Sequence, residues 1–234
     1  MQTLIIKTDE GDLPVAYFDT TRQNTPLLVV LMDAIGIRDE LRNVARALNA
    51  EGYRVALPNL YYREGHIEDL DFSSPEGHQT VMRLYGGLSH QMVRSDMKYL
   101  LAKLARDQPV GLLGYCMGGA NALMLAGAYP DDIKGAAAIH PGGIVTDAAD
   151  SPHRAVLSAK GEFYVAIADQ DPYATTEQAA TLKSALESAG VNYVLEHYRG
   201  AAHGFSFESL PSYNAEAQAR YWRAILTLFE RSLS

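Results

Sequence analysis

The 234-residue sequence contains a single cysteine, Cys116, and it lacks both a long apolar run and a signal-peptide pattern. One cysteine cannot form an internal disulfide or supply a four-cysteine zinc site, so Cys116 is either inert core packing or a reactive thiol. No apolar run approaches the ~20 residues that span a bilayer, and the amino terminus has no basic segment leading into an apolar one. We therefore expect a cytoplasmic protein without a membrane partner.

The basic residues are not clustered in the sequence. The formal net charge of −8 comes from interspersed acidic residues, and no Lys/Arg cluster of the kind that neutralises phosphates is present, so nucleic acid is not an expected partner. No linker rich in Pro, Gly or Ser divides the chain, which favours one domain over residues 1–234. We expect this domain to be a monomer or a homodimer.

Short apolar runs alternate with helical patterns along the chain. The first two runs, separated by Asp9–Asp12, predict an antiparallel hairpin, and the later alternation indicates βαβ units. The sequence therefore predicts a single-domain α/β fold, with about eight strands in a mostly parallel sheet and helices on both faces. The predicted strands are 4–8, 13–19, 26–32, 53–59, 110–115, 135–140, 163–168 and 192–198. One helix is predicted over about 118–129, and four more are predicted from apolar positions at helical spacing that begin with Leu41, Val93, Ala179 and Tyr221.

The longest segment without a predicted strand is 60–92. It contains the aromatic residues Tyr61, Tyr62 and Tyr85 and a pair of glycines. One interpretation is a wall or lid over a site at the carboxyl ends of the strands, where open α/β sheets bind ligands. The other is a partly helical surface excursion with ordinary aromatic packing, and the sequence leaves both open.

Cys116 lies between Gly114 and Gly118, at the turn from a predicted strand into a predicted helix. So tight a turn strains the backbone of the central residue, and side chains at the two glycine positions would collide with neighbouring chain. The helix amino terminus favours thiolate over thiol, and the Met117 N–H points to where an oxyanion would develop. A dinucleotide-binding turn is the other interpretation, but Cys116 stands where that turn needs a second glycine.

A thiol nucleophile needs a base, and the base needs an acid that orients it. Hydrolases built on such a sheet carry these groups in the chain order nucleophile, acid, histidine, on loops that follow strands. Asp169 and Asp171 follow one predicted strand, and His203 follows the next. His140 precedes both acids. The order therefore favours His203 as the base.

These residues belong to motifs that resemble the dienelactone hydrolase family of the α/β-hydrolase superfamily over nearly the whole chain. The resemblance implies that Cys116 is the nucleophile and His203 the base, with Asp171 as the acid in preference to Asp169. It also implies an oxyanion hole formed by the N–H groups of Met117 and Ala34. The matching motifs are "LMDAIG", "GYRVALPNLYYREG", "GLLGYCMGGA", "DQDP" and "GAAHGF".

The chain departs from the dienelactone-cleaving members at two places. Those members carry a glutamate at the position of Asp33, where it pairs with the cysteine, and the side chain here is one methylene shorter. They also bind the substrate carboxylate with arginines. The position of one of these arginines is occupied by Phe207 in this chain, and Arg83 is a candidate for the other arginine. We therefore expect the reaction type to be shared more closely than the substrate. Tyr85, Phe205 and Phe207, together with Tyr61 and Tyr62, predict an apolar pocket for a neutral or aromatic substrate, and the alternative is that these residues belong to the core.

The implied function is hydrolysis of a small activated or aromatic ester or lactone through a thioester acyl-enzyme. Neither a metal nor an organic cofactor is expected, since no HExxH or similar ligand spacing is present. The alternative is a non-catalytic redox or small-molecule-binding protein in which Cys116 is a reactive thiol. That alternative explains the thiol but not the placement of Asp171 and His203, and turnover of an ester distinguishes the two.

Overall fold

A computed structural model describes residues 1–234, apart from the side chain of Gln170. The chain divides into two compact units, Met1–Pro109 and Val110–Ser234, each with four strands and flanking helices. All eight predicted strands are present, with boundaries within a few residues of those expected. The α/β fold class is therefore confirmed, and the single domain over residues 1–234 stays a prediction.

The first unit contains four strands and three main helices. They are β1 (Gln2–Thr8), β2 (Gly11–Phe18), β3 (Leu27–Leu31), α1 (Asp39–Ala50), β4 (Arg54–Pro58), α2 (Pro75–Gly87) and α3 (His90–Leu104). The strand order is β1-β2-β4-β3, in which β1 and β2 form the predicted antiparallel hairpin and β3 runs parallel to β4. Every residue of β3 and β4 is buried, which explains the continuous apolar runs 27–31 and 55–58.

Helix α2 lies within segment 60–92, where the sequence analysis predicted no helix boundaries. The helix begins after Ser74, whose hydroxyl accepts the Gly77 N–H, and Pro75 occupies its first position. Only Val81 and Leu84 are buried along this helix. Two buried positions are too few to produce a recognisable helical repeat of apolar residues in the sequence. The segment is therefore partly helical, and its action as a lid stays a prediction.

The second unit contains the remaining strands, all parallel, in the order of the chain. Its elements are β5 (Val110–Tyr115), α4 (Met117–Ala128), β6 (Ile133–Ile139), α5 (Pro152–Ala155), β7 (Glu162–Gln170), α6 (Thr176–Ala189), β8 (Tyr193–Ala202) and α7 (Ala215–Ser232). Parallel neighbours end at one edge of the sheet. The residues that directly follow these four strands, Cys116, His140, Asp171 and His203, are therefore brought to that edge.

Two helices show how the second unit is specified locally. Helix α4 is apolar on all sides and buried from Met117 to Ala126, as expected of a helix packed inside a domain. Helix α6 begins with a reciprocal capping box between Thr175 and Gln178 and ends at Gly190 in the left-handed conformation.

A helix that spans a bilayer needs about 20 predominantly apolar residues. Among the residues described, no helix has the length and apolar character that crossing a bilayer requires. The cytoplasmic location and the monomeric or dimeric state expected from the sequence stay predictions.

Candidate active site

Cys116 occupies a strained turn between β5 and α4. Its backbone has φ 51° and ψ −115°, a conformation that costs a residue with a side chain roughly 1–3 kcal/mol. A Cβ on Gly114 would lie 1.9 Å from the carbonyl oxygen of Gly118, which is the collision the sequence predicts. The Cys116 carbonyl accepts the N–H groups of Gly119 and Ala120, so the turn leads directly into the helix.

His203 and Asp171 form a hydrogen-bonded pair at the ends of β8 and β7. The His203 Nδ1 atom lies 2.8 Å from Asp171 Oδ2, and Asp171 Oδ1 accepts the Tyr173 N–H at 2.9 Å. The Asp171 side chain is fully buried, whereas Asp169 is exposed and accepts the Gly200 N–H. The structure thus brings His203 together with the acid that the resemblance implies.

The charge state of His203 is set by opposing effects. Burial alone lowers the pKa of an imidazole, because it disfavours the charged form. The hydrogen bond to Asp171 and the adjacent Cys116 sulfur, when negatively charged, outweigh burial and raise the pKa of His203 to about 10. Nε2, the other ring nitrogen, is buried and has no hydrogen-bond partner among the described residues. His203 is therefore protonated at neutral pH when Cys116 is a thiolate.

This raised pKa gives a pH dependence of stability with a defined sign. His203 binds its proton more tightly in the folded state, with a pKa of about 10, than at its ordinary value of 6.5. Its stabilising contribution is therefore complete below pH 6.5, declines above it and is lost as the pH rises through about 10. We expect the free energy of unfolding of the intact protein to approach that of a His203→Gln variant over this range.

Urea unfolding of both proteins at several pH values from about 6 to about 10 measures this difference. A difference that stays constant or widens as the pH rises contradicts the raised pKa.

His140 is a buried neighbour of the pair that sequence reasoning set aside. Its ring centroid lies 5.1 Å from that of His203, and its Nε2 lies 2.7 Å from Ser206 Oγ. The residue is 1% exposed and has φ 37°, so a second strained residue directly follows a strand of this sheet. Chain order excluded it as the base because it precedes the acid. Its position directly after β6 was the signal that it would lie beside His203.

Phe205 and Phe207, expected to line the substrate pocket, lie in an aromatic cluster in the core. They are 0% and 2% exposed. Phe205 stacks on Tyr198 with ring centroids 5.0 Å apart, and Phe207 packs on Tyr115 at 4.8 Å. The two rings therefore present almost no surface that a substrate could reach.

The loop after β3 in the first unit is held by side chains on both sides of Ala34. The Asp33 carboxylate binds both Nη atoms of Arg38, at 2.8 and 2.9 Å, and accepts the Ile35 N–H. The Tyr61 hydroxyl donates to the Ala34 carbonyl at 2.8 Å. Asp33 is thus ion-paired within its own unit, and its action on the nucleophile stays a prediction.

The two residues of α2 expected in the pocket are both exposed to solvent. Tyr85 is 43% exposed, and the Arg83 side chain is 58% exposed. Arg83 Nη1 lies 2.6 Å from Glu64 Oε2. A substrate carboxylate would therefore have to compete with Glu64 for this arginine.

The groups at the carboxyl edge of the second unit suit acyl transfer. Cys116 is a thiol, His203 is an imidazole, and Asp171 is a buried carboxylate hydrogen-bonded to that imidazole, and groups of these types can together perform acyl transfer. Apart from the Gln170 side chain, which is outside the description, no three His, Cys, Asp or Glu side chains are grouped to hold a metal ion.

Known proteins share this chain's sequence pattern and fold. Residues 14–233 match the model of the dienelactone hydrolase family. A carboxymethylenebutenolidase of Rhodococcus opacus is 28% identical over an alignment of 244 residues, which covers 96% of this chain and 89% of the relative.

Two solved structures illustrate the shared fold. A dienelactone hydrolase from Anabaena variabilis has a TM-score of 0.72 at 15% identity, over 100% of this chain and 98% of its own. A dienelactone hydrolase-like promiscuous phosphotriesterase from metagenomic libraries has a TM-score of 0.77 at 19% identity, over 100% and 99%. At these sequence identities the two structures support only the assignment of the fold. The assignment to the family depends on the match over residues 14–233. The chain therefore belongs to the dienelactone hydrolase family, and it is an ester or lactone hydrolase with the α/β-hydrolase fold.

Proposed function

We propose that this hydrolase cleaves its substrate with a catalytic triad of Cys116, His203 and Asp171, through a thioester acyl-enzyme. The observation that carries the proposal is the 2.8 Å hydrogen bond between His203 Nδ1 and buried Asp171. It orients the imidazole and leaves Nε2 as the nitrogen that exchanges protons. The nearby sulfur that raises the pKa of this histidine is Cys116, the residue at the strained turn.

In the acylation half-reaction, the proton of the Cys116 thiol passes to His203 Nε2. The thiolate adds to the carbonyl carbon of the ester or lactone, and the carbonyl oxygen becomes an oxyanion. When the tetrahedral intermediate collapses, the bond between carbon and leaving oxygen breaks. His203 returns its proton to that oxygen, and the acyl group remains on the sulfur as a thioester.

In the deacylation half-reaction, water replaces the leaving alcohol. His203 removes a proton from the water as its oxygen adds to the thioester carbonyl. Collapse of this second intermediate breaks the bond between carbon and sulfur, releases the acid and restores Cys116. Asp171 stabilises the imidazolium that forms twice in each turnover.

The proposed oxyanion donors are the backbone N–H of Met117 in the second unit and, on the family resemblance alone, the backbone N–H of Ala34 in the first unit. Met117 is the first residue of α4, so its N–H lies at the positive end of the helix dipole. Ala34 belongs to the loop that Tyr61 and the pair of Asp33 and Arg38 hold in place. Each such donor contributes about 3 kcal/mol to transition-state stabilisation.

The substrate is a small, activated and uncharged ester or lactone. Phe207 stands where the dienelactone-cleaving members have an arginine, and its ring is buried. Arg83, the other candidate for a carboxylate contact, is already paired with Glu64. Because neither of these two positions supplies a free arginine, we expect a carboxylate on the substrate to gain little.

A matched pair of substrates tests this assignment. The intact protein should hydrolyse phenyl acetate, and it should cleave a dienelactone free acid no faster than its methyl ester, measured as kcat/KM at one pH. A preference of about tenfold or more for the free acid would mean that a carboxylate-binding residue has been overlooked. No turnover of any of the three substrates would refute the hydrolytic triad.

A further inference from the structure

Tyr173 is an exposed aromatic residue in contact with a member of the proposed triad. The residue is 60% exposed, and its ring centroid lies 4.8 Å from that of His203, with the ring planes at 66°. Two other large apolar residues of the second unit, Leu157 and Val194, are also exposed, but neither has an aromatic ring. An exposed aromatic ring offers a face or edge on which a planar group can pack, and this ring lies directly beside His203.

The backbone around Tyr173 is fixed, so the ring is held in place at its base. The Tyr173 N–H donates to Asp171, and its carbonyl accepts the Gly143 N–H at 2.9 Å. The adjacent Gly142 allows this approach, because a Cβ there would lie 3.1 Å from Tyr173 Cβ and 3.8 Å from His203 Cε1. Tyr173 and His203 therefore pack against the same glycine.

The proposed reaction places a specific part of the substrate beside this ring. His203 must deliver its proton to the leaving oxygen, so that oxygen lies within hydrogen-bond distance of the imidazole during acylation. The group attached to the leaving oxygen then lies within reach of a ring packed directly on the same imidazole. The acyl group is attached to the other side of the carbonyl carbon and is subject to no such requirement.

We propose that Tyr173 is a specificity-determining residue that selects the leaving group and favours a flat, apolar one such as a phenol or an enol. This inference rests on the proposed triad, because it uses the position of the leaving oxygen relative to His203. Edge-to-face or offset packing of a planar leaving group on the exposed ring supplies the selectivity. The Tyr173 hydroxyl is not needed for this contact.

The test compares two acetate esters that share the acyl-enzyme and differ only in the leaving group. Phenyl acetate carries an aryl group, and trifluoroethyl acetate carries a small activated alkyl group. The variants are Tyr173→Ala, which removes the ring but keeps the N–H bonded to Asp171, and Tyr173→Phe, which keeps the ring. Tyr193→Ala is the matched control, since Tyr193 is in the same unit at the start of β8, the opposite end of the strand from His203.

We expect Tyr173→Ala to lower kcat/KM for phenyl acetate by about 3- to 10-fold and to leave trifluoroethyl acetate within about twofold. Tyr173→Phe and Tyr193→Ala should keep the selectivity of the intact protein. An equal loss of kcat/KM for both esters would mean that Tyr173 has a structural role. No loss of kcat/KM for either ester would mean that Tyr173 does not contact the substrate. Both results overturn the proposal.

A binding measurement separates failure of this inference from failure of the triad. Phenol, the product of the aryl ester, should slow alkylation of Cys116 by iodoacetamide in the intact protein but not in Tyr173→Ala. Protection without ester turnover would refute the triad and keep the aryl-binding role of Tyr173. The absence of protection in the intact protein would refute that role whether or not esters are turned over.

Discussion

Replacing Cys116 with alanine is expected to abolish ester hydrolysis, with kcat lower by about 10⁴-fold or more. No other cysteine exists to take over the acyl group, and alanine keeps the backbone of the turn while removing the sulfur. The measurement is turnover of phenyl acetate. The urea midpoint of the variant is the control, and it should stay close to that of the intact protein.

The single cysteine supplies a second control for the same prediction. Iodoacetamide should label each chain once, and activity should fall in proportion to the labelled fraction. If the Cys116→Ala variant retained more than about one hundredth of the activity, a residue other than Cys116 would have to be the nucleophile. The redox or small-molecule-binding interpretation of this thiol would then become the stronger one.

Replacing Asp171 with asparagine is expected to lower kcat by about 10³- to 10⁴-fold. An amide in this position accepts the Nδ1–H less strongly, permits the wrong tautomer and cannot stabilise an imidazolium with a full charge. Asp169→Asn is the matched control, because it makes the same chemical change two residues away, at an exposed carboxylate bonded to Gly200. This control should stay within about threefold of the intact enzyme.

The pair of variants also discriminates between the two acids that the sequence offers. Steady-state kinetics with phenyl acetate across the neutral pH range would measure both. If Asp169→Asn lost as much activity as expected of Asp171→Asn, or if Asp171→Asn remained active, the 2.8 Å hydrogen bond to His203 would be structural and the proposed acid wrong.

The strands and the turn at Cys116 were predictable because their physical causes are local in the sequence. A strand buried on both faces must be a continuous apolar run, as β3 and β5 are. A strand-to-helix turn as tight as the one at Cys116 excludes a side chain at Gly114. Chain order placed His203 near Asp169 and Asp171, because parallel strands bring their carboxyl ends to one edge, and the family resemblance gave the preference for Asp171.

Other features depend on side-chain direction and on contacts between distant segments, which neither periodicity nor motif order contains. Phe205 and Phe207 are close to His203 in sequence, yet their rings point into the core. Tyr173 is thirty residues from His203 in sequence, and its contact with that residue was found only in the structure. The missed helix α2 had a clear start signal at Ser74 and Pro75 but too narrow an apolar stripe.

The central claim is that Cys116 carries the acyl group, and the most direct measurement is the mass of the protein quenched with acid during turnover of an activated aryl ester. Such an ester acylates quickly, so the thioester accumulates before water removes it. The account predicts one added acyl group per chain, located on the peptide that contains Cys116 and missing from the Cys116→Ala variant. An acyl group on any other residue, or turnover without any acylated protein, would contradict it.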